Sequence, residues 1–299
     1  MLMIPTKRKC RTKRSLYGIS SKTIYKLQLH VPYNKRFCGS SHGWLAKVEY
    51  SKVTIITLLN PFKNVSIPLS PIYMLDILRR RKNYEFNVHK VILSANPITM
   101  PHDYIVVAIY SMCNCLAFIK AGQKVWTYID HDYYRFSDVI FYKGLVYAVG
   151  QWNNIASFDL SYLKDKTVIP NVVSSKGDDY VDRVYLVKSL EGEVWLVRKF
   201  IGLPDDDDED SILSSSGTER FEVYKLELDL QSGKLMQMLK LDILGDNVLF
   251  VGDSDSVSMA ASYFSNYLQK DSIYYTHDFN DDQPVPYPNG PFEMKIYNV

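Results

Sequence analysis

The chain has 299 residues, 46% of them hydrophobic and 13% aromatic, enough to bury a large core. With 35 basic against 33 acidic residues the net charge is +2, which excludes a global field drawing the chain to nucleic acid or to a membrane surface. No run reaches the length of a membrane-spanning helix, the start Met1-Leu2-Met3-Ile4-Pro5 is too short for a secretory hydrophobic region, and Cys10, Cys38, Cys113 and Cys115 are too few and too irregular for a disulfide framework, so the expected setting is soluble and intracellular, cytoplasmic and/or nuclear.

Residues 1–20 are a basic N-terminal segment carrying Lys7, Arg8, Lys9, Arg11, Lys13 and Arg14. A solvated loop is the plain reading; a nuclear-import signal and a patch for nucleic acid or an acidic partner are the functional ones. Thr23 to Leu29 reads as a strand. The following stretch, Arg36 to Leu69, organises the rest. A Gly/Ser-rich turn delivers Gly43, Trp44 to Val48 has the character of a half-buried strand, and Ser51-Lys52 turns the chain into Val53 to Leu59 before Asn60-Pro61 ends it. A hairpin of this kind is unstable alone and needs similar neighbours to cover it. Arg79-Arg80-Arg81-Lys82 is a second basic cluster on an expected loop, and neither cluster has the interleaved aromatics of a single-strand groove, so nucleic acid is not an expected partner.

The same order recurs. Asp103 to Tyr110 and Cys115 to Ile119 form one unit, with Trp126-Thr127 as a further strand. Lys143 to Val149 and Ile155 to Leu160 form another, around a turn at Trp152 to Asn154. Glu191 to Val197 begins the next, and its second strand, Phe221 to Asp229, follows an acidic and Ser-rich insertion at residues 203–220, expected to be a mobile loop. Ser272 to Tyr275 pairs with Phe292 to Tyr297 in a degenerate last copy. The turn glycines Gly43, Gly144 and Gly192 are separated by 101 and then 48 residues, a period near 48 with one glycine-free unit between the first two. A repeat of this length made only of short strands predicts an all-β chain, a single β-propeller domain over 1–299 of kelch or similar type, with about six blades of mostly four short antiparallel strands. On this reading Thr23 to Leu29 completes a blade with strands from the C-terminus and closes the ring.

The chemistry of known sites is sparse. His131-Asp132 and His277-Asp278 place an imidazole beside a carboxylate, but neighbours on a strand point to opposite faces, which is poor geometry for a relay. Cys113-Asn114-Cys115 has no second Cys/His pair at zinc spacing, and the run Asp205 to Asp210 lacks the glycine and terminal glutamate of a calcium loop. There is no phosphate-binding Gly-rich loop, no nucleophile elbow and no His-Glu-x-x-His. The expectation is a protein that is not an enzyme, with no catalytic, cofactor or metal residues and no cofactor. The competing expectation is a ligand-binding or enzymatic propeller, marked by a polar cluster of His, Asp and Arg converging on the channel mouth.

Arg36 to Leu45, Leu59-Asn60-Pro61-Phe62, Ile67-Pro68-Leu69 with Pro71, Lys90 to Ser94, and Phe250 to Asp253 with Ser258 to Ser262 together resemble the Kib-type propeller domain of plant F-box proteins, in order and over nearly the whole chain. The resemblance implies the part that recruits a protein for a cullin-RING (SCF-type) ubiquitin ligase, whose F-box docks on the Skp adaptor. Leu2-Met3-Ile4-Pro5 is similar to the linker that follows an F-box, with no F-box before it in this sequence. The implied partner is therefore a protein substrate or regulator, bound by a monomeric propeller acting as receptor, scaffold or decoy, with Skp and cullin only where an F-box is restored or recruited and with no membrane. Gly43 and Trp44 are assigned to architecture: the glycine permits the tight turn and the tryptophan packs between blades.

Overall fold

The computed structural model describes residues 2–4, 14–18, 23–27, 37–50, 53–73, 88–111, 113–129, 135–150, 154–160, 171–174, 181–201, 219–252, 254–276 and 294–299. Among them every element is a strand except one 3-10 turn, Ser262–Phe264. No described helix is long and apolar enough to cross a membrane.

At the N-terminus β1 (Leu2–Ile4), β2 (Arg14–Gly18) and β3 (Thr23–Leu27) form an antiparallel three-stranded sheet in the order β1-β2-β3. Blade one follows, with β4 (Phe37–Ser41), β5 (Trp44–Tyr50), β6 (Thr54–Asn60) and β7 (Val65–Pro68). Blade two holds β8 (Val88–Leu93), β9 (Ile105–Tyr110), β10 (Cys115–Lys120) and β11 (Thr127–Ile129). Blade three holds β12 (Phe136–Tyr142), β13 (Leu145–Gly150), β14 (Asn154–Phe158) and β15 (Asn171–Ser174). Blade four holds β16 (Arg183–Lys188), β17 (Val194–Ile201), β18 (Glu219–Leu228) and β19 (Leu235–Leu241). Blade five holds β20 (Asn247–Val251), β21 (Val257–Ala260), β22 (Ser272–Thr276) and β23 (Met294–Asn298). Blades one to four are antiparallel meanders, whereas blade five has the order β21-β20-β22-β23 with β20 and β22 parallel.

Two expectations need correction. Among the described residues the propeller has five four-stranded blades, not about six. Dividing the length by the period counted as a blade the N-terminal stretch that forms the separate three-stranded sheet. The strand at Thr23–Leu27 accordingly pairs with β2, and β22 pairs with β20 and β23, so among the described residues no blade is completed from both ends of the chain. The hairpins were legible: β5 pairs β6, β9 pairs β10, β13 pairs β14, β17 pairs β18 and β22 pairs β23.

Packing follows from the strand sequences. Trp44, Ala46 and Val48 alternate with half-buried Leu45, Lys47 and Glu49, a strand with one dry face. Val106 to Tyr110 is buried on both faces, because blade two lies between two neighbours and its strand is a continuous apolar run. Successive blades share cores: Trp44, Val48, Val91 and Val106 between one and two, Leu116, Phe118, Val139 and Phe158 between two and three. Tyr147, Leu186 and Leu196 fill the space between three and four, and Val187, Phe221, Leu249 and Tyr275 that between four and five. A fully buried side chain of this size contributes about 1.5–3 kcal/mol against about 1 kcal/mol net for a hydrogen bond, so apolar packing carries the association of the blades. Polar pins set its register. Trp44 Nε1 donates to Asn96 Oδ1 at 3.0 Å and Trp126 Nε1 donates to Ser70 O at 2.8 Å, both between blades one and two.

Candidate functional site

The innermost strands β4, β8, β12, β16 and β21 touch one another from blade to blade and line the axis. β8 and β12 each shift register once, between Val88 and Lys90 and between Phe136 and Asp138. Lys90, Asp138 and Leu186 are spaced by 48 residues and sit at one level of the axis. Lys90 Nζ donates to Asp138 Oδ1. The same oxygen accepts from Val139 N at 2.7 Å, and Asp138 Oδ2 accepts from Leu186 N at 2.8 Å. Lys90 is 4% exposed and Asp138 2%, so the pair is shielded from water and each oxygen of the carboxylate is engaged. One carboxylate thereby ties three blades together.

Asp255 joins the cluster from the residue pair that leads into β21. Its Oδ1 accepts from Ser256 N at 2.9 Å. Burial pushes the Asp255 carboxyl up to about 6; Lys90 pulls the other way and the Asp138 charge adds to the rise. Ser137 Oγ and Ser256 Oγ, next in sequence to the two carboxylates, are buried without a hydrogen-bond partner among the described residues. Of the His, Asp and Arg set as the mark of a ligand-binding propeller, only the aspartates are in this cluster, and its base is a lysine. Its chemistry is that of a clasp, since the amine and the Asp138 carboxylate meet each other and a backbone donor reaches each carboxylate oxygen.

The turns from the innermost to the second strand gather on one face. The turn at His42-Gly43 meets the β8–β9 loop through Trp44 and Asn96, and that loop shares a groove with the turn at Lys143-Gly144. The β16–β17 turn meets blade five, where Leu190 N donates to Asn247 Oδ1 at 2.8 Å and Asn247 Nδ2 donates to Glu191. Ser258 Oγ on β21 donates to Lys188 O at 2.6 Å on the same side. Exposed on these loops are Ile98, Met100, Leu190 and Tyr263, the last 85% exposed. Apolar side chains of this size in solvent, borne on rigid strand ends, are what a protein-binding surface offers.

Gly43, Gly144 and Gly192 all lie in turns at φ of 78°, 85° and 82°, as their spacing predicted. Gly39 does a different job: a Cβ there would lie 2.0 Å from Val91 O, so β4 and β8 approach too closely for any side chain. Trp44 packs between blades one and two. Cys38 is buried with its Sγ 3.7 Å from Ala46 O, and Cys113 and Cys115 are half-buried beside the β9–β10 turn. Among the described residues no group of three His, Cys, Asp or Glu could hold a metal ion. Cys10, Arg79 to Lys82, His131-Asp132, Asp205 to Asp210 and His277-Asp278 lie outside the described residues. The sequence reading missed Lys90 and Asp138; the signal was a charged residue inside Val88-His89-Lys90-Val91-Ile92-Leu93 and another, one period later, inside Phe136-Ser137-Asp138-Val139-Ile140.

Five four-stranded blades about a polar axis, with the inner turns gathered on one face, define a β-propeller. Residues 16–298 match the KIB1-4 beta-propeller family, and the chain belongs to that family. It is 23% identical over 261 residues to "Putative F-box protein At5g55150" of Arabidopsis thaliana, covering 87% of this chain and 66% of that protein. It is 23% identical over 278 residues to F-box protein SKIP23 of the same species, covering 82% of this chain and 64% of that one. The chain thus spans just under two thirds of the length of these relatives. Among solved structures, apo AztD from Citrobacter koseri aligns with a TM-score of 0.45 at 9% identity, over 83% of this chain and 70% of that one.

Proposed function

We propose that this chain is a non-enzymatic protein-recruiting propeller, and that it works as the substrate-binding part of an F-box-type ubiquitin ligase receptor. The observation that carries the reading is the loop face bearing exposed Ile98, Met100, Leu190 and Tyr263 on a chain of the KIB1-4 beta-propeller family. The F-box names of its relatives supply the ligase context. Delivery to the ligase requires an adaptor-docking segment on the same polypeptide or on a partner; without one the propeller holds its target as a scaffold or decoy. A pull-down from plant extract under proteasome inhibition, with the retained proteins identified by mass spectrometry, tests this. Skp adaptor and cullin together with a third protein support the receptor. A third protein alone supports the scaffold, and no specific protein overturns both.

A second reading, a ligand site at the axis, is favoured by one observation, the half-buried Asp255 whose carboxyl is raised to about 6 beside Lys90 and Asp138. It predicts a small molecule whose binding is lost in Asp255→Asn.

A further inference from the structure

Between blades two and three the loop face holds an open groove of about 510 Å³, within the range of ligand-binding clefts. Its apolar lining is Ile105, Phe141 and Leu160, which continue the core between those blades. Lys120 ends β10 on the alternation shared with Leu116 and Phe118, the side facing blade three. Lys143 stands across the groove as the first residue of the β12–β13 turn, at φ 46°, a left-handed conformation that Asn or Gly adopts at lower cost. Its Nζ lies 5.2 Å from the ring centroid of Tyr142, which also lines the groove. Neither ammonium has a carboxylate partner among the described residues, in contrast to Lys47, Lys90, Lys225 and Lys240, which all do. Asp103 is the one acidic residue in the lining, against Lys120 and Lys143, and His102 lies beside it.

We propose that this groove takes an acidic peptide segment of the recruited protein, seating an apolar or aromatic residue against Ile105 and Phe141 and its anionic oxygens at Lys120 and Lys143. The inference rests on the protein-recruiting reading and names the chemistry of the partner. Two ammoniums without a carboxylate partner among the described residues, beside an apolar floor, suit an anion carried on an apolar body, and a groove open to solvent admits a peptide segment. Carboxylate and phosphate oxygens meet the same two lysines, so the source of the charge is a matter for the test.

The test uses three fluorescein-labelled peptides: Glu-Asp-Phe-Glu-Asp, the same peptide with phosphotyrosine in place of Phe, and a neutral counterpart with Gln and Asn in place of the acids. Fluorescence anisotropy is read against the whole chain, the Lys120→Glu and Lys143→Glu variants, and Lys63→Glu, an exposed lysine of blade one, with thermal melts confirming that each variant is folded. The expected result is binding of one or both anionic peptides and not the neutral one, weakened by salt, reduced about tenfold or more by either groove variant and unchanged by Lys63→Glu. The tighter of the two anionic peptides assigns carboxylate or phosphate. Absence of binding by both, or binding indifferent to Lys120→Glu and Lys143→Glu, overturns the proposal. A partner retained equally from extract by the wild type and by Lys120→Glu would overturn the groove while leaving the recruiting function standing; no partner with the wild type would overturn that function.

Discussion

Lys90 and Asp138, one repeat apart in sequence, close a buried ion pair between the innermost strands of blades two and three, and the same carboxylate accepts the Leu186 amide of blade four. Taking two charges out of water is costly, so such a pair adds little net stability while its half-removal is severe. Lys90→Met should lower the unfolding free energy by about 3 kcal/mol, because it strands the Asp138 charge. Adding Asp138→Asn should recover part of that loss, since the uncompensated charge is gone. Urea titrations of the three variants check this; a Lys90→Met cost under about 1 kcal/mol would mean that the pair does not matter to the ring.

Asp255 sets a pH dependence of known sign. Its carboxyl is raised from 3.8 to about 6 in the folded chain, chiefly by burial. The folded state therefore binds this proton more tightly than the unfolded state, so the contribution is fully present below pH 3.8 and is lost as pH rises through about 6. Asp255→Asn keeps an oxygen for the Ser256 amide and removes the charge. It should stabilise the chain by about 1–2 kcal/mol at neutral pH, with the advantage vanishing near pH 4. Melting curves of both proteins across that range read it directly, and a gain that is constant with pH would contradict the assignment.

Two glycines in one blade should respond differently to alanine. At Gly39 the new Cβ would meet Val91 O at 2.0 Å, and backbone on both sides must move, costing about 2–3 kcal/mol. At Gly43 there is open space and only the positive φ of 78° resists, costing about 1 kcal/mol. Denaturant midpoints of Gly39→Ala and Gly43→Ala should fall in that order.

The Trp44 side chain serves through its ring and its N–H. Trp44→Phe keeps most of the apolar contact and loses the donor to Asn96 Oδ1, for about 1–2 kcal/mol. Because Asn96 Oδ1 also accepts from Ile98 N, Asn96→Ala should cost more, and the double variant should cost less than the sum of the two. Strict additivity in a double-mutant cycle would show that the two residues are not coupled.

What was legible in the sequence depended on local signals. Gly43, Gly144 and Gly192 mark turns because only a residue without Cβ takes φ near 80° cheaply, and apolar runs on either side mark the strands they join. The blade count was not legible, because strand pairing between distant segments leaves no local trace: Thr23–Leu27 reads like any outer strand, yet it pairs with Arg14–Gly18. The parallel pairing of β20 with β22 was hidden for the same reason. The clasp was half legible, since a lysine and an aspartate in buried strands must have partners. Only the register of β8 against β12 shows that each is the partner of the other. The groove at Lys120 and Lys143 depends on two blades meeting, and neither residue stands out in its own stretch.

The most direct test of the recruiting face compares three forms of the chain as bait in the same plant extract: wild type, Ile98→Asp/Leu190→Asp on the loop face, and Met236→Asp, a still more exposed apolar site on the outer strand β19. The expected result is one set of proteins retained by the wild type and by Met236→Asp and lost from the loop-face variant. Retention by all three forms, or loss with Met236→Asp alone, would contradict the assignment of partner binding to the loop face.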